Sequence, residues 1–206
     1  MRGPPAPAAA DTDEALMQAY GAGDAGAFDA LYARHKGGVY RYLLRHCRDA
    51  GVADELFQDV WMNAIRVRAS YVPTAKFTTW LYTLAHNRLV DHWRARGQAK
   101  LVSIDEDCDG DEGGGTRSLV EALPGASQHE PQARAEAREL GAQLHAALAA
   151  LPPEQRDAFL LQYEGGLALA EIAELTGVGT ETVKSRLRYA TAKLRGALGS
   201  AHEEWS

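Results

Sequence analysis

The sequence predicts an all-α protein in which two small helical domains are joined by a flexible acidic linker. Apolar residues recur at helical spacing on both sides of residues 98–132, whereas that stretch is acidic, rich in glycine and without periodicity. The chain has 206 residues and 46% hydrophobic content, which is enough for two small cores. A helix-turn-helix pattern near the C-terminus completes the argument for this fold class.

The first domain is predicted over residues 13–97. Residues 1–12 are rich in Pro and Ala, offer little to bury and are expected to be disordered. Gly51 is expected to interrupt the helical pattern. Helices are predicted over 13–22, 25–48 and 53–68.

The helix predicted over 53–68 has two distinct faces. Its apolar residues, which include Val60 and Trp61, share one side of the helix, and this side is expected to face the core. A charged stripe on the other side is usually only a solvated face, so it does not by itself establish a partner. The stripe follows i, i+3, i+4, i+7 spacing beside Asp54 and contains Glu55, Gln58, Asp59 and Met62.

A further helix is predicted within residues 76–96, after a loop at 71–73, with Thr78 or Thr79 as its N-cap. Leu81, Leu84, Ala85 and Leu89 share one face and are expected in the core. The residues expected on the other sides suit single-stranded nucleic acid, because rings stack on bases and guanidinium groups hold phosphates. An ordinary core helix with packed aromatic rings is the alternative. The residues on those sides are Trp80, Tyr82, His86, Asn87, Arg88 and Arg94.

Charge is distributed in blocks, although the formal net charge of the chain is -6. Residues 76–100 have five basic residues against Asp91, a net of +4, whereas residues 101–131 have eight acidic residues against Arg117, a net of -7. The negative net charge of the chain therefore comes from the linker and does not exclude nucleic-acid binding. The linker lacks the spacing and terminal Glu of an EF-hand calcium loop.

The second domain is predicted over residues 133–199, followed by a tail at 200–206. Pro152 and Pro153 separate its first two helices, and Gly165 and Gly166 end the second. The stretch LALAEIAELTGVGTETVKSRLRYATAKL then gives a short helix, a tight turn around Gly177 and a longer helix. A plain helical hairpin with a basic solvated face is the alternative to a DNA-binding unit.

Several function classes are disfavoured by what the sequence contains. Cys47 and Cys108 are far apart in unlike segments, so they are expected to be reduced thiols. The histidines follow no metal-ligand motif, and no phosphate-binding glycine loop or nucleophile motif is present. No enzyme activity, cofactor, metal or small-molecule substrate is therefore expected. No apolar run suits membrane insertion, and the protein is expected in the cytoplasm.

Four motifs in this order resemble the sigma-70 family of bacterial RNA polymerase sigma factors, in its extracytoplasmic function (ECF) group. The resemblance covers nearly all of residues 28–198 apart from the linker, and the motifs that carry it are ADELFQDVWMNA, KFTTWLYTLAHNRLVDHWR, LPPEQRDAFLL, and EGGLALAEIAELTG with TVKSRL. The resemblance implies a subunit that binds core RNA polymerase and directs promoter recognition and melting. It also implies promoter DNA and an anti-sigma factor as partners.

The resemblance assigns roles to residues of both domains. The surface matching region 2.2 is expected to dock on the clamp helices of the polymerase β′ subunit, and contacts with the β subunit are also expected. Its residues are Asp54, Glu55, Gln58, Asp59 and Trp61. The residues expected to contact the unpaired -10 strand are Lys76, Trp80, Tyr82, Asn87, Arg88, Arg94 and Arg96. Those expected to read the -35 duplex are Thr182, Lys184, Ser185, Arg186 and Arg188.

The chain departs from the family pattern at two positions of the recognition helix. Glu181 stands where relatives often have Gly, and Tyr189 stands where many have a further Arg. The linker, expected to run through the polymerase cleft as a nucleic-acid mimic, is also unusually acidic. Two other functions remain open: a sigma-like decoy that binds an anti-sigma factor without reading promoters, and a helix-turn-helix repressor. The repressor would leave the first domain unused.

Overall fold

The computed structural model describes residues 12–47, 49–97 and 131–203, with the side chains of 139–198 in the last range. The expectations for residues 1–11, for Cys108 and for the course of the linker lie outside these residues. Every regular element in the described ranges is helical, as predicted. These ranges contain eight α-helices, and a short 3-10 turn, Arg68–Ser70, follows the third of them: α1 (Asp13–Gly21), α2 (Ala25–Cys47), α3 (Ala50–Val67), α4 (Phe77–Ala95), α5 (Pro131–Ala149), α6 (Pro153–Tyr163), α7 (Leu169–Thr176) and α8 (Thr180–Glu203).

Helices α1 to α4 pack around one core. The predicted apolar face of α4 is confirmed, since Leu81, Ala85 and Leu89 have no exposed surface and Leu84 packs against the core from its edge. Full burial of each leucine side chain stabilises the domain by about 1.5–3 kcal/mol. Trp61 of α3 is only 5% exposed, and its ring meets that of Tyr32 at a centroid distance of 4.9 Å.

Two predicted helix starts in this bundle are wrong. Helix α3 begins at Ala50, so Gly51 lies in its first turn, and the side chain of Asp49 caps it by accepting from the Val52 amide at 3.0 Å. Helix α4 begins at Phe77 without a threonine cap. The Phe77 amide instead donates to Glu14 Oε1 of α1 at 2.7 Å, so a distant carboxylate satisfies this helix start.

Helices α5 to α8 form the second bundle. Helix α5 begins at Pro131, two residues before the predicted start of this domain. The buried Arg156 guanidinium joins α6 to the end of α5, donating from Nε to the Leu148 carbonyl at 2.9 Å and from Nη2 to those of Ala149 and Leu151 at 2.9 and 3.0 Å. Arg156 therefore caps the C-terminal end of α5 and fixes the connection between the two helices.

The predicted helix-turn-helix is present as α7 and α8. Gly177 ends α7 in the left-handed conformation, with φ of 69°, which is why glycine suits the turn. Glu171 stabilises the start of α7 by accepting from the Ala168 amide at 2.6 Å. Ile172 and Val183 are fully buried between the two helices, so the exposed side of α8 is held in a fixed orientation.

The described residues contain no group of three His, Cys, Asp or Glu side chains placed to hold a metal ion. Among the described helices, none is both long and apolar enough to cross a bilayer.

Candidate polymerase and nucleic-acid interfaces

The acidic stripe of α3 lies on the protein surface, as its spacing predicts. Asp54, Glu55 and Gln58 are exposed. Met62 continues the stripe and is 56% exposed, which places an apolar side chain beside the carboxylates. A surface with acidic groups and an exposed Met suits a basic protein partner that also offers an apolar contact.

Two residues assigned to this surface have further contacts. Trp61 lies in the core, so a direct contact with polymerase is not available to it in this structure; the apolar spacing of α3 already placed it there. Asp59 accepts a hydrogen bond from Arg88 of α4, with 42% and 39% of the two side chains exposed. Arg88 and Asp59 were assigned to different partners, and here they hold α3 and α4 together.

Helix α4 presents part of the predicted strand-binding set. Lys76, Asn87, Arg94 and Arg96 are exposed. Trp80 is half-buried, with its ring centroid 5.0 Å from that of Tyr71 and 5.5 Å from that of Phe77. The loop before α4 and the start of α4 therefore form an aromatic cluster with basic and amide groups further along the helix.

Tyr82 is the clear correction to this set. It was expected on a side of α4 away from the apolar face, yet it is only 2% exposed. Its hydroxyl donates to the Glu164 carbonyl at 2.7 Å, so the second half of the chain covers it. The spacing of α4 could not reveal this burial, because the covering residue is 82 positions away.

The recognition helix α8 exposes nearly all of its predicted DNA contacts. Thr182, Lys184, Ser185 and Arg188 are exposed, and Arg186 is half-buried. An exposed helix that bears Lys, Ser and Arg beyond a tight turn has the side chains that contact phosphates and guanine edges in a major groove.

Both positions that depart from the family pattern contact predicted DNA-binding residues. Glu181 Oε1 accepts a hydrogen bond from Lys184 Nζ at 2.6 Å. The Arg188 guanidinium lies 5.0 Å from the centroid of the Tyr189 ring, which is 53% exposed. The departures therefore change the surroundings of the two cations on the exposed face of α8.

A polar cluster between the two bundles was missed by the sequence argument. Asp157 of α6 is buried and accepts a hydrogen bond from the Tyr42 hydroxyl at 2.9 Å. His46 Nε2 and His86 Nδ1 lie 3.3 and 3.4 Å from its two oxygens. Glu164 forms a second centre, which receives Arg41 Nε at 2.8 Å and also Arg45 Nη1.

Burial and hydrogen bonding shift the ionisation of this cluster in opposite ways. Burial alone raises the pKa of Asp157, but its contacts with His46 and His86 more than offset this and hold that pKa well below its usual range. Burial lowers the pKa of His46 despite its contact with Asp157. Burial, reinforced by Asp157, raises the pKa of Tyr42 well above its ordinary value. At neutral pH the cluster therefore contains an ionised carboxylate and a neutral Tyr42.

One sequence signal pointed to this cluster. Arg41, Tyr42, Arg45 and His46 recur on α2 at spacings of three to five residues, so they share a polar side of a helix otherwise predicted from its apolar positions. Their partners, Asp157 on α6 and Glu164 at its C-cap, are more than 100 residues away, beyond any local pattern.

A cleft of about 650 Å³ opens next to the cluster. Its lining brings together residues assigned to two different DNA elements. Asn87 and Arg94 of α4 face it from one bundle, and Arg186 of α8 faces it from the other.

The comparisons with known proteins agree with this architecture. The family description "Sigma-70 region 2" matches residues 31–99, and "Sigma-70, region 4" matches residues 141–194. The chain is 30% identical over 194 residues to the ECF RNA polymerase sigma factor SigK of Mycolicibacterium vanbaalenii, covering 91% of this chain and 90% of the relative. It is also 30% identical over 217 residues to SigK of Mycobacterium ulcerans, covering 98% and 100% of the two chains.

A solved structure, CnrH in complex with the cytosolic domain of CnrY, has a similar fold. Its TM-score is 0.61 at 21% identity, over 92% of this chain and 99% of that one. The two matched regions, the exposed helix-turn-helix and the nearly full-length relatives together identify the family. The chain belongs to the ECF group of sigma-70 family RNA polymerase sigma factors.

Proposed function

We propose that this sigma factor binds core RNA polymerase through α3 and directs it to promoters, where α4 contacts the unpaired -10 strand and α8 reads the -35 duplex. The observation that carries the proposal is the presence of three chemically different exposed faces on one chain. The face on α3 is acidic with an exposed Met, that on α4 combines aromatic, amide and basic groups, and that on α8 is a basic helix-turn-helix face.

The assignment of α4 to a single strand follows from its side chains. Trp80 retains partial exposure in an aromatic cluster, and stacking of one base on such a ring contributes about 1–3 kcal/mol. Asn87 and Arg94 supply a base-edge contact and a phosphate contact from the exposed side of the same helix. Duplex DNA buries the base faces that Trp80 would stack on, so this surface requires a melted promoter.

The chain supplies recognition, and the polymerase supplies bond formation. We place its action in the cytoplasm, where polymerase and promoters meet. An anti-sigma factor is a further proposed partner, supported by the similar fold of the sigma factor RpoE from Bartonella quintana in its complex with the anti-sigma factor NepR, with a TM-score of 0.58 at 20% identity. We also propose that the acidic linker follows its own path through the polymerase.

The division of labour is tested with polymerase reconstituted on two probes, a duplex bearing the -35 element and a pre-opened promoter. Lys184→Ala with Arg188→Ala should weaken the duplex contact by about 1–3 kcal/mol per lost base contact and spare strand binding on the pre-opened probe. Trp80→Ala with Asn87→Ala should do the reverse.

Lys193→Ala is the matched control for the first pair. Lys193 is exposed on α8, nine residues after Lys184 and so about half a turn around the helix. It should leave both probes unaffected. If both pairs of substitutions impaired the same probe and spared the other, the assigned division would be wrong.

A further inference from the structure

Helix α1 contacts both ends of the segment that leads into α4. This segment consists of the 3-10 turn, the loop of residues 71–76 and the first residue of α4. At one end, Gly21 of α1 lies so close that an added Cβ would be 2.8 Å from the Arg68 carbonyl oxygen. At the other end, Glu14 in the first turn of α1 accepts a hydrogen bond from the Phe77 amide at 2.7 Å. One helix therefore determines where the loop begins and where it ends.

Helix α1 is itself held in the first bundle by several contacts. Met17 is only 2% exposed, and the Tyr20 ring lies 4.9 Å from that of Phe28 of α2. Thr12 caps the helix, since its Oγ1 accepts from the Ala15 amide at 3.3 Å. None of these contacts involves the segment before α4. Helix α1 is therefore positioned independently of that segment and can support it.

The aromatic cluster before and within α4 depends on this supported segment. The Trp80 ring packs on those of Tyr71, from the loop, and Phe77, from the helix start. Burial raises the pKa of Tyr71 to about 12, and the Glu14 and Asp13 carboxylates of α1 add to this effect, so the hydroxyl stays neutral. The cluster and the first turn of α1 thus lie side by side.

Phe77 is held by α1 in two ways. Its amide is bound directly by Glu14. Its ring, which is 1% exposed, lies 5.2 Å from the ring of His35, whose Nε2 is 2.7 Å from Asp13 Oδ2. Two consecutive carboxylates of α1 therefore fix the residue at which α4 begins.

The start of α4 depends on Glu14 because its own sequence supplies little to cap it. Lys76, at the N-cap position, makes no side-chain capping bond, and the first turn contains no acidic residue. The amides of a first helical turn need acceptors, and a carboxylate there also interacts favourably with the helix dipole. Phe77 and Trp80 are the first and fourth residues of α4. Fraying of this turn would therefore displace Trp80 directly.

We propose that α1 is a brace for the strand-binding surface and that Glu14 is its positioning residue. By holding the Phe77 amide, Glu14 keeps the first turn of α4 in the arrangement in which Trp80 stacks on an unpaired base. The inference deepens the proposed function and rests on it for the contact between Trp80 and the strand. The support that Glu14 gives to the helix start is measurable without DNA.

The test compares Glu14→Ala with Glu14→Gln in full chains reconstituted with core polymerase. Both variants lose the same charge, but glutamine keeps an oxygen that can accept from the Phe77 amide. On a pre-opened probe of the -10 region, Glu14→Ala should bind about 2- to 30-fold more weakly than Glu14→Gln, the size of effect expected for a lost helix cap. Both should bind a -35 duplex as the unmodified chain does.

Asp24→Ala is the matched control. Asp24 Oδ1 accepts from the Gly26 and Ala27 amides at 2.9 and 3.4 Å, so this variant loses a carboxylate acceptor at the start of α2, away from the loop. It should leave binding of the pre-opened probe unchanged. An equal loss of affinity in Asp24→Ala and Glu14→Ala would show a general loss of stability and overturn the positioning role.

Hydrogen exchange measured by mass spectrometry gives a second readout on the free chain. Peptides covering residues 71–80 should exchange faster in Glu14→Ala than in Glu14→Gln. If circular dichroism shows that Glu14→Ala does not fold, Gly21→Ala decides the question, because its methyl group presses on the Arg68 carbonyl at the other end of the brace. It should also weaken binding of the pre-opened probe, and an unchanged affinity in it would overturn the brace.

The brace and the proposed function fail in different ways. Equal strand affinities and equal exchange rates for Glu14→Ala and Glu14→Gln would overturn the brace, even where Trp80→Ala loses strand binding as the proposed function requires. Strand binding that Trp80→Ala retains would instead contradict the proposed function of α4. Faster exchange in Glu14→Ala would still support the contact between Glu14 and the start of α4 in that case.

Discussion

Replacing Glu181 by Gln should strengthen binding of the -35 duplex. Glu181 Oε1 lies 2.6 Å from Lys184 Nζ, with 83% and 54% of the two side chains exposed. Lys184 must leave this pair to reach a phosphate, which costs about 0.2–1 kcal/mol for an exposed pair. The carboxylate also repels phosphates, by about 0.5 kcal/mol for unit charges about 8 Å apart in water.

Together these effects amount to about 0.7–1.5 kcal/mol, or about a 3- to 12-fold gain in affinity at low salt. Fluorescence anisotropy on a -35 duplex at two salt concentrations measures it, and the gain should shrink as salt rises because both effects are screened. Asp29→Asn is the control, since it makes the same change in net charge on the exposed side of α2 in the other bundle. Equal gains from the two substitutions would refute a local role for Glu181.

Three further predictions follow from the structure. Arg156→Met should destabilise the second bundle by about 1–3 kcal/mol for each buried carbonyl left without its donor; calorimetry showing an unchanged transition would contradict this. Asp54→Lys with Glu55→Lys should abolish co-purification with core polymerase and keep the helical content, since both are exposed; retained binding would remove the acidic stripe from the polymerase interface. Because burial lowers the pKa of His46 from its ordinary 6.5, the folded protein favours the neutral imidazole, and the free energy of unfolding measured with urea should fall as pH drops from about 7.5 to 5.5. The Asp157 contribution persists across that range, because its pKa is depressed and its charge is lost only at lower pH; a flat profile, or an unchanged one in His46→Gln, would contradict the assignment to His46.

Local patterns predicted most of the fold because the helices are amphipathic. The spacing of Leu81, Ala85 and Leu89 indicates which side of α4 is buried, and it does so without knowledge of the element that packs on that side. The turn at Gly177 was equally visible, since a left-handed residue between two short helical patterns favours glycine. Helix starts were less predictable. The amide of Phe77, at the start of α4, donates to the carboxylate of Glu14, 63 residues away.

The candidate site was predictable where its residues remain on the surface. Lys184, Arg188, Asn87 and Glu55 are exposed as expected, because polar residues on the side of a helix opposite its apolar stripe usually face solvent. Tyr82 could not be placed correctly, since its burial depends on a contact with the Glu164 carbonyl across the two bundles.

Electrostatic pairing across the chain was hidden for the same reason. Arg88 and Asp59 belong to two patterns that each look solvent-facing, and only the packing of α3 on α4 brings them together. Asp157 on α6 and Glu164 just after it belong to an unremarkable pattern, yet they are the centres of the contact between the bundles.

The central claim, that this chain gives core RNA polymerase its promoter specificity, is tested most directly by transcription in a reconstituted system. Purified core polymerase is combined with the chain on genomic DNA fragments, and transcript start sites are mapped. We expect discrete start sites that require the chain. They should be lost with Lys184→Ala and Arg188→Ala and retained with Lys193→Ala. Transcripts identical with and without the chain would contradict it.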